Sequence, residues 1–285
     1  MTDVLVVIGV GGMGDAIARR LGSGRRVLLA DFDQETLDRV AGSLRADGYT
    51  VATQEVDVAS RDSLAALART ASGMGAVTQV AHTAGLSPEQ ASIEAILRVD
   101  LAGVAYSLEE FARVIAPGGS GVVISSMAAA LTASRFPGDM AGALARTPSD
   151  DLLTLPFLRP DAVPDPGAAY AMAKRGCQLR VQAASVAWGE RGARINSISP
   201  GVISTPMGHH ELTGGSGDSM QAMVRSSGTK RLGTPADIAN AAAFLLGPDS
   251  TFVTGSDLLV DGGAVAAVQN GSRVLDAGRD APVGR

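Results

Sequence analysis

The sequence predicts an α/β fold, a single doubly wound parallel sheet of seven strands with helices on both faces. Three observations carry that expectation. Short β-branched runs alternate with stretches of helical length along most of the 285 residues. The first such run stops at a glycine-rich turn that opens into a helix. A hydrophobic content of 46% supplies the apolar surface for one large core.

Taken in chain order, residues 4–8 (Val-Leu-Val-Val-Ile) read as a strand buried on both faces. A helix is expected over 14–21, a second strand over 26–30, a helix over 34–47 and a third strand over 50–56. The rhythm continues with a helix over 64–71, a strand over 76–81, a long helix over 93–115 and a fifth strand over 120–125. Residues 132–167 interrupt it. Pro137, Pro148, Pro156, Pro160, Pro164 and Pro166 are too many for one regular element, so this segment reads as an insertion. Residues 207–230, rich in Gly, Ser and Met, form a second excursion, expected as a substrate lobe. Between and after them come a helix over 176–189, a strand over 193–198, a helix over 235–246 and a seventh strand over 257–260. Residues 1–264 thus make one domain, and 265–285 are expected as a loosely attached tail.

Charge and cysteine content narrow the function. Lys and Arg total 24 against 29 Asp and Glu, a net charge of −5 without basic blocks, so nucleic acid is not an expected partner. The single Cys177 excludes an intramolecular disulfide. His82, His209 and His210 have no carboxylate or cysteine pattern at ligand spacing, and no metal is expected. Apolar runs fall short of the roughly 20 residues that cross a bilayer, and the amino-terminal run is too short for a signal core, which points to the cytoplasm.

The first turn, Gly9-Val10-Gly11-Gly12-Met13-Gly14, fits G-x-G-x-x-G between a strand and a helix, the Rossmann-type context. Missing β-carbons let backbone amides and the helix amino end approach a pyrophosphate. Asp31, ending the second strand, can accept hydrogen bonds from ribose hydroxyls and would repel a 2′-phosphate. No arginine lies in the turn and Asp33 adds negative charge, so NAD is favoured over NADP. Asp57 and Val58, after the third strand, can reach the adenine edge.

Tyr170 and Lys174 stand four apart in a stretch of helical composition, so a phenol and an ammonium share one helical face. A nearby cation favours phenolate, and the pair reads as a general acid/base.

Together these features resemble the short-chain dehydrogenase/reductase family of the classical type, over roughly residues 4–264. The likeness extends through Thr83-Ala84-Gly85, Ile124-Ser125-Ser126, Arg194-Ile195-Asn196, Pro200-Gly201, Arg231-Leu232-Gly233 and Asp261-Gly262-Gly263. The resemblance implies that Ser126 binds the substrate oxygen, Tyr170 transfers the proton and Lys174 holds the nicotinamide ribose. It also implies that Thr83, Ala84, Gly85, Pro200, Gly201, Ile203 and Thr205 complete the cofactor site. The expected activity is NAD-dependent interconversion of a secondary alcohol and a ketone on a small-molecule substrate with an apolar body, such as a steroid or an alicyclic ring. A homotetramer or homodimer is implied as well.

Four departures stand out. The glycine turn is one residue short and lacks the family's threonine. Asp100 replaces an asparagine that supports a water relay to the lysine, and an ionised carboxylate there would draw Lys174 towards itself. Thr83 replaces the first asparagine of Asn-Ala-Gly, weakening a backbone brace. Ser126 and Tyr170 are 44 residues apart, mostly because of the insertion. Bacterial 3α-hydroxysteroid dehydrogenase/carbonyl reductases resemble this chain in such an insertion and in Ala187-Trp188-Gly189-Glu190, so the segment is expected as a substrate lid or subunit contact. Eleven apolar residues of the excursions, Leu131, Phe136, Met140, Leu144, Leu153, Leu155, Phe157, Met207, Leu212, Met220 and Met223, can line a pocket or pack within their lobes. Two other functions compete: an NAD-binding sensor or scaffold with little turnover, and an epimerase or dehydratase sharing Tyr-x-x-x-Lys.

Overall fold

Alternation along the first strand explains the layers. In β1 (Asp3–Ile8), Val4, Val6 and Ile8 point to one face while Leu5 and Val7 point to the other, and all five are fully buried. Helices must therefore cover both sides. The computed structural model describes residues 2–271.

The chain proceeds through α1 (Gly12–Leu21), β2 (Arg26–Asp31), α2 (Gln34–Ala46), β3 (Thr50–Glu55), α3 (Arg61–Met74) and β4 (Ala76–His82). The predicted long helix is broken into α4 (Ile93–Ile96), a π-helical turn (Leu97–Ala102) and α5 (Gly103–Ala112). It ends before Ile115, which instead starts β5 (Ile115–Ile124). Next come α6 (Met127–Thr132), α7 (Gly138–Arg146), α8 (Pro166–Glu190) and β6 (Arg194–Pro200). The chain closes with α9 (Pro206–Thr213), α10 (Gly217–Ser226), α11 (Pro235–Leu246), β7 (Asp257–Val260) and α12 (Ala264–Gln269).

The seven strands form one sheet in the order β3-β2-β1-β4-β5-β6-β7, every pair parallel. Strand order reverses between β1 and β4, so their carboxyl ends diverge and leave a crevice there. On one face, Leu64 and Leu67 of α3, Phe111 of α5, and Val181 and Trp188 of α8 pack against Val4, Val6 and Ile8. On the other face, Ile17 of α1, Leu37 and Leu44 of α2, and Ile238 and Leu245 of α11 cover Leu5 and Val7.

The insertion is not a single element. It holds α7 and three 3-10 turns, Ala133–Arg135, Leu152–Thr154 and Pro156–Leu158, and its Leu144, Leu152, Leu158 and Val163 are buried against Leu97, Leu101 and Ala173. Arg180 of α8 donates to Thr147 O at 2.6 Å, and Arg61 bridges Glu109 and Asp150 at 2.6 and 3.0 Å, tying the insertion to the body. The first residues of the expected tail are structured. Ala264 and Val265 of α12 are buried against Met127 and Val202, because they meet an apolar surface that α6 and the loop after β6 leave uncovered. The rest of that expected tail, 272–285, lies outside the described residues.

Candidate active site

The glycine turn is shaped by close approaches. Gly9 has φ +84°, and a β-carbon on it would lie 2.4 Å from Ala84 N. A β-carbon on Gly14 would lie 1.9 Å from Gly9 O, so α1 can sit against β1 only with glycine there. Gly11 differs. Its added β-carbon would meet nothing within 4 Å, and as N-cap of α1 it leaves the helix with no side-chain cap. The first amides of α1 and the positive end of its dipole therefore face open space. The Thr83 hydroxyl donates to Gly9 O at 2.5 Å. The replacement at 83 thus supplies a backbone brace, contrary to the weakening expected from the sequence.

Asp31 ends β2 beside this turn. Its Oδ2 accepts from Val10 N–H at 2.7 Å and its Oδ1 from Asp33 N–H at 3.1 Å, which fixes the carboxylate while leaving further lone pairs free. Asp33, two residues on, caps α2, its carboxylate accepting from the Glu35 and Thr36 amides. A cleft of about 610 Å³ opens here, lined by Gly9, Gly11, Gly12, Met13, Gly14, Asp31, Asp57, Val58, Thr83, Ala84, Gly85 and Thr205. Phe32, also lining it, is 71% exposed. The bare glycine turn, the uncapped helix and the fixed carboxylate fit the pyrophosphate and ribose of a dinucleotide.

A smaller cleft of about 90 Å³ continues from it through Met13, Thr83, Gly85, Thr205 and Met207, and contains Ser126, Tyr170, Lys174, Pro200, Gly201 and Ile203. Sequence distance is closed by topology. Ser126 lies just past the end of β5 and caps α6, its Oγ accepting from Ala128 N–H at 3.2 Å, while α8 brings Tyr170 and Lys174 over the same strand ends. The Lys174 ammonium lies 5.4 Å from the Tyr170 ring centre and donates to Ile124 O at 3.3 Å.

Asp100 is fully buried in the π-helical turn, and its Oδ2 lies 3.1 Å from Lys174 Nζ. Its Oδ1 accepts from Leu86 N–H at 2.8 Å. The extra residue of a π turn re-aims a side chain, which is how this carboxylate reaches the lysine. Gly85 leaves the room: a β-carbon there would lie 3.0 Å from Lys174 Nζ.

Charges in this cluster are strongly coupled. Burial pushes the Asp100 carboxyl up, opposed by the Lys174 ammonium and the Leu86 amide. Burial also works against the Lys174 ammonium, but the Asp100 carboxylate and the Tyr170 phenol outweigh it and hold the lysine charged. The Tyr170 phenol is raised by burial, with Lys174 and the Ser126 hydroxyl pulling down and Asp100 and Glu211 pushing up. His82 is 1% exposed, and its imidazole is pushed down to about 3 by burial and by Lys174, so it is neutral. Cys177 donates its thiol to Asp100 O at 2.9 Å and is pushed up to about 12 by burial, which makes it inert packing.

Other expectations change. No residue of 132–167 lines either cleft, so the insertion is not a lid over them. Of the eleven apolar residues of the excursions, only Met207 lines the clefts. Leu144 is buried within the insertion, with Phe136, Leu153, Leu155 and Phe157 partly buried in the same cluster, while Leu131, Leu212, Met220 and Met223 pack at the base of the α9–α10 lobe. The sequence reading missed Glu211 of α9, which faces the smaller cleft and accepts at Oε1 from the Ser87 hydroxyl at 2.7 Å. A carboxylate on a short polar helix looks like a solvated face, and no spacing rule marks it. Glu89 adds a second tie to this lobe, accepting from the Ser216 hydroxyl at 3.0 Å.

Comparison with known proteins finds relatives along most of the chain. A family model described as short chain dehydrogenase matches residues 3–138, and one described as Enoyl-(Acyl carrier protein) reductase matches 144–265. The chain is 45% identical over 264 residues to short-chain dehydrogenase/reductase bsc3 of Alternaria brassicicola, covering 93% of this chain and 96% of that protein. It is 28% identical to the cis-4-hydroxycyclohexanecarboxylate dehydrogenase of Sinomonas cyclohexanicum, with 92% and 96% covered. Among solved structures, a short-chain type dehydrogenase/reductase from Mycobacterium ulcerans superposes with a TM-score of 0.72 at 26% identity, covering 93% of this chain and 90% of that one.

Proposed function

The chain belongs to the short-chain dehydrogenase/reductase family, and we propose that it interconverts a secondary alcohol and a ketone with NAD(H). The observation that carries this reading is the single cleft shared by Ser126, Tyr170 and Lys174, continuous with the dinucleotide-sized cleft at the glycine turn. The bound nicotinamide dinucleotide supplies or accepts the hydride. Ser126 Oγ holds the substrate oxygen, and the Tyr170 hydroxyl gives its proton in reduction and receives one in oxidation. Lys174, kept charged by Asp100, stabilises the phenolate and would hold the ribose of the cofactor. Asp31 favours NAD, since its braced carboxylate would meet a 2′-phosphate with like charge.

A volume of about 90 Å³ at the reacting end favours a compact alicyclic body over a steroid. The relative from Sinomonas cyclohexanicum, whose name specifies a cyclohexane alcohol, points the same way. A second reading, a cofactor-binding sensor with little turnover, draws on the Lys174–Asp100 pair, which occupies the ammonium that catalysis needs. We place the protein in the cytoplasm as a homotetramer or homodimer. No described helix is long and apolar enough to cross a membrane, and Phe244, Phe252 and Leu259, near the open edge at β7, are exposed.

The test is a panel of secondary alcohols and ketones followed at the nicotinamide absorbance with NAD and NADP in parallel. Turnover of a cyclic secondary alcohol with NAD supports the proposal. Tight NADH binding without turnover of any panel member favours the sensor.

A further inference from the structure

Glu211 is the one charged side chain lining the small cleft that the reaction as proposed does not use. It stands among Ser126, Tyr170 and Lys174 in a space of about 90 Å³, and the only hydrogen-bond partner of its carboxylate among the described residues is the Ser87 hydroxyl on Oε1. Ser87 is 1% exposed and fixed in the loop after β4, so that oxygen is anchored and Oε2 is left to whatever enters the cleft. Glu89 holds Ser216 in the same lobe, which keeps α9 from swinging the carboxylate away. Lys174 is already engaged by Asp100 at 3.1 Å, and among the described residues no cation forms an ion pair with Glu211.

An ionised carboxylate only accepts hydrogen bonds, and in a narrow cleft it leaves a heavy penalty if a ligand puts an apolar or anionic group against it. From this we infer that Glu211 selects an uncharged substrate bearing a second hydrogen-bond donor, a hydroxyl next to the carbinol that reacts. An ammonium would satisfy the carboxylate as well, but it would bring a second cation up to the positive nicotinamide ring that the oxidised cofactor would carry, which counts against it. The substrate class is therefore a cyclic vicinal diol or its hydroxyketone. The inference rests on the proposed reading of Ser126 and Tyr170 as the reacting centre.

The test compares kcat/KM for cyclohexanol, trans-cyclohexane-1,2-diol, 2-aminocyclohexanol and 4-hydroxycyclohexanecarboxylate with NAD, in the parent and in Glu211→Leu and Glu211→Gln. The parent should prefer the diol to cyclohexanol by about tenfold, the equivalent of one hydrogen bond, and should disfavour the carboxylate. Glu211→Leu, which keeps volume and removes the acceptor, should bring the diol to cyclohexanol ratio near one. Glu211→Gln, which keeps an acceptor without charge, should retain part of the diol preference and regain the carboxylate substrate. NADH titration confirms that each variant is folded and binds cofactor. A parent that turns over both alcohols with a ratio that Glu211→Leu leaves unchanged overturns the Glu211 assignment alone. Preference for 2-aminocyclohexanol over the diol overturns the uncharged substrate. No turnover of any alcohol, with NADH bound, removes the reading of the reacting centre and this assignment with it.

Discussion

At the nucleotide end of the cleft the chain presents bare backbone, whereas at the catalytic end it presents side chains held in a buried ionic cluster. Gly11 and the uncapped start of α1 offer unpartnered amides to open space. Some residues away, Lys174 and Asp100 are 4% and 0% exposed and pair with one another. The first region works by leaving groups unsatisfied until a ligand arrives. The second works by satisfying charges internally, so that the tyrosine meets a fixed electrostatic environment. Substitutions should therefore fail in different ways: at one end by filling space, at the other by changing charge.

The largest expected effect is at the catalytic end. Tyr170→Phe removes the proton carrier and almost no contact area, so turnover should fall by roughly 10²–10⁴-fold while NADH affinity stays near that of the parent. Fluorescence titration beside steady-state rates separates the two quantities, and a Phe variant with parental turnover would end the acid/base assignment.

The nucleotide end is sharpened by two glycines with opposite environments. Gly11→Ala places a methyl where nothing lies within 4 Å, so thermal stability should hold while NAD affinity weakens roughly ten- to a hundredfold, the equivalent of about 1–3 kcal/mol of overpacking once the ligand is bound. Gly14→Ala instead drives a methyl to 1.9 Å from Gly9 O, and the loss should appear in the melting temperature of the unliganded protein. Calorimetry with and without NAD distinguishes them. Equal losses of stability at both positions would mean that the turn is only a structural bend.

A smaller effect is expected at Asp31. Replacing it by Ala removes the braced acceptor and its charge, so the preference for NAD over NADP should drop by about tenfold, mainly through better NADP binding. Unchanged preference in parallel kcat/KM measurements would refute the ribose role.

Much of the nucleotide region was legible because its signals are local. β-Branched runs, a glycine turn and Asp31 lie within one βαβ unit, and the structure places them as their spacing implies. The catalytic region was legible only in its bare residue types. Ser126 and Tyr170 are joined by topology across an insertion whose Arg180 and Arg61 contacts no local pattern announces. The π-helical turn is invisible to hydrophobic period, because one extra residue in Leu97–Ala102 leaves the apolar face almost intact while turning Asp100 inwards. The Thr83 brace spans 74 positions and Ser87–Glu211 spans 124, so neither could be read without the fold that joins them. α12 escaped notice for the same reason, since its short apolar run gains meaning only against Met127 and Val202.

The smallest change probes whether the ionic cluster governs proton transfer or merely packs. Asp100→Asn keeps an oxygen for the Leu86 amide and nearly the same volume, but removes the negative charge beside Lys174. That charge raises the Tyr170 phenol, and the ammonium opposes it. Without the Asp100 charge the ammonium faces only burial and the Glu211 carboxylate, so Tyr170 should lose its proton at lower pH. Alcohol oxidation needs the deprotonated phenol, and the rising limb of its pH–kcat/KM profile should therefore move to the acid side. Ketone reduction needs the protonated form, and its falling limb should move in the same direction. A cluster that only packs predicts no displacement of either limb, whatever happens to the absolute rate. Asp100→Leu goes further by stranding a buried ammonium, and should cost about 3–5 kcal/mol of stability, a loss that the Asn variant largely avoids by retaining a polar partner. The two variants together therefore separate charge from packing: a profile that moves in Asn with little loss of melting temperature assigns Asp100 to proton transfer through Lys174.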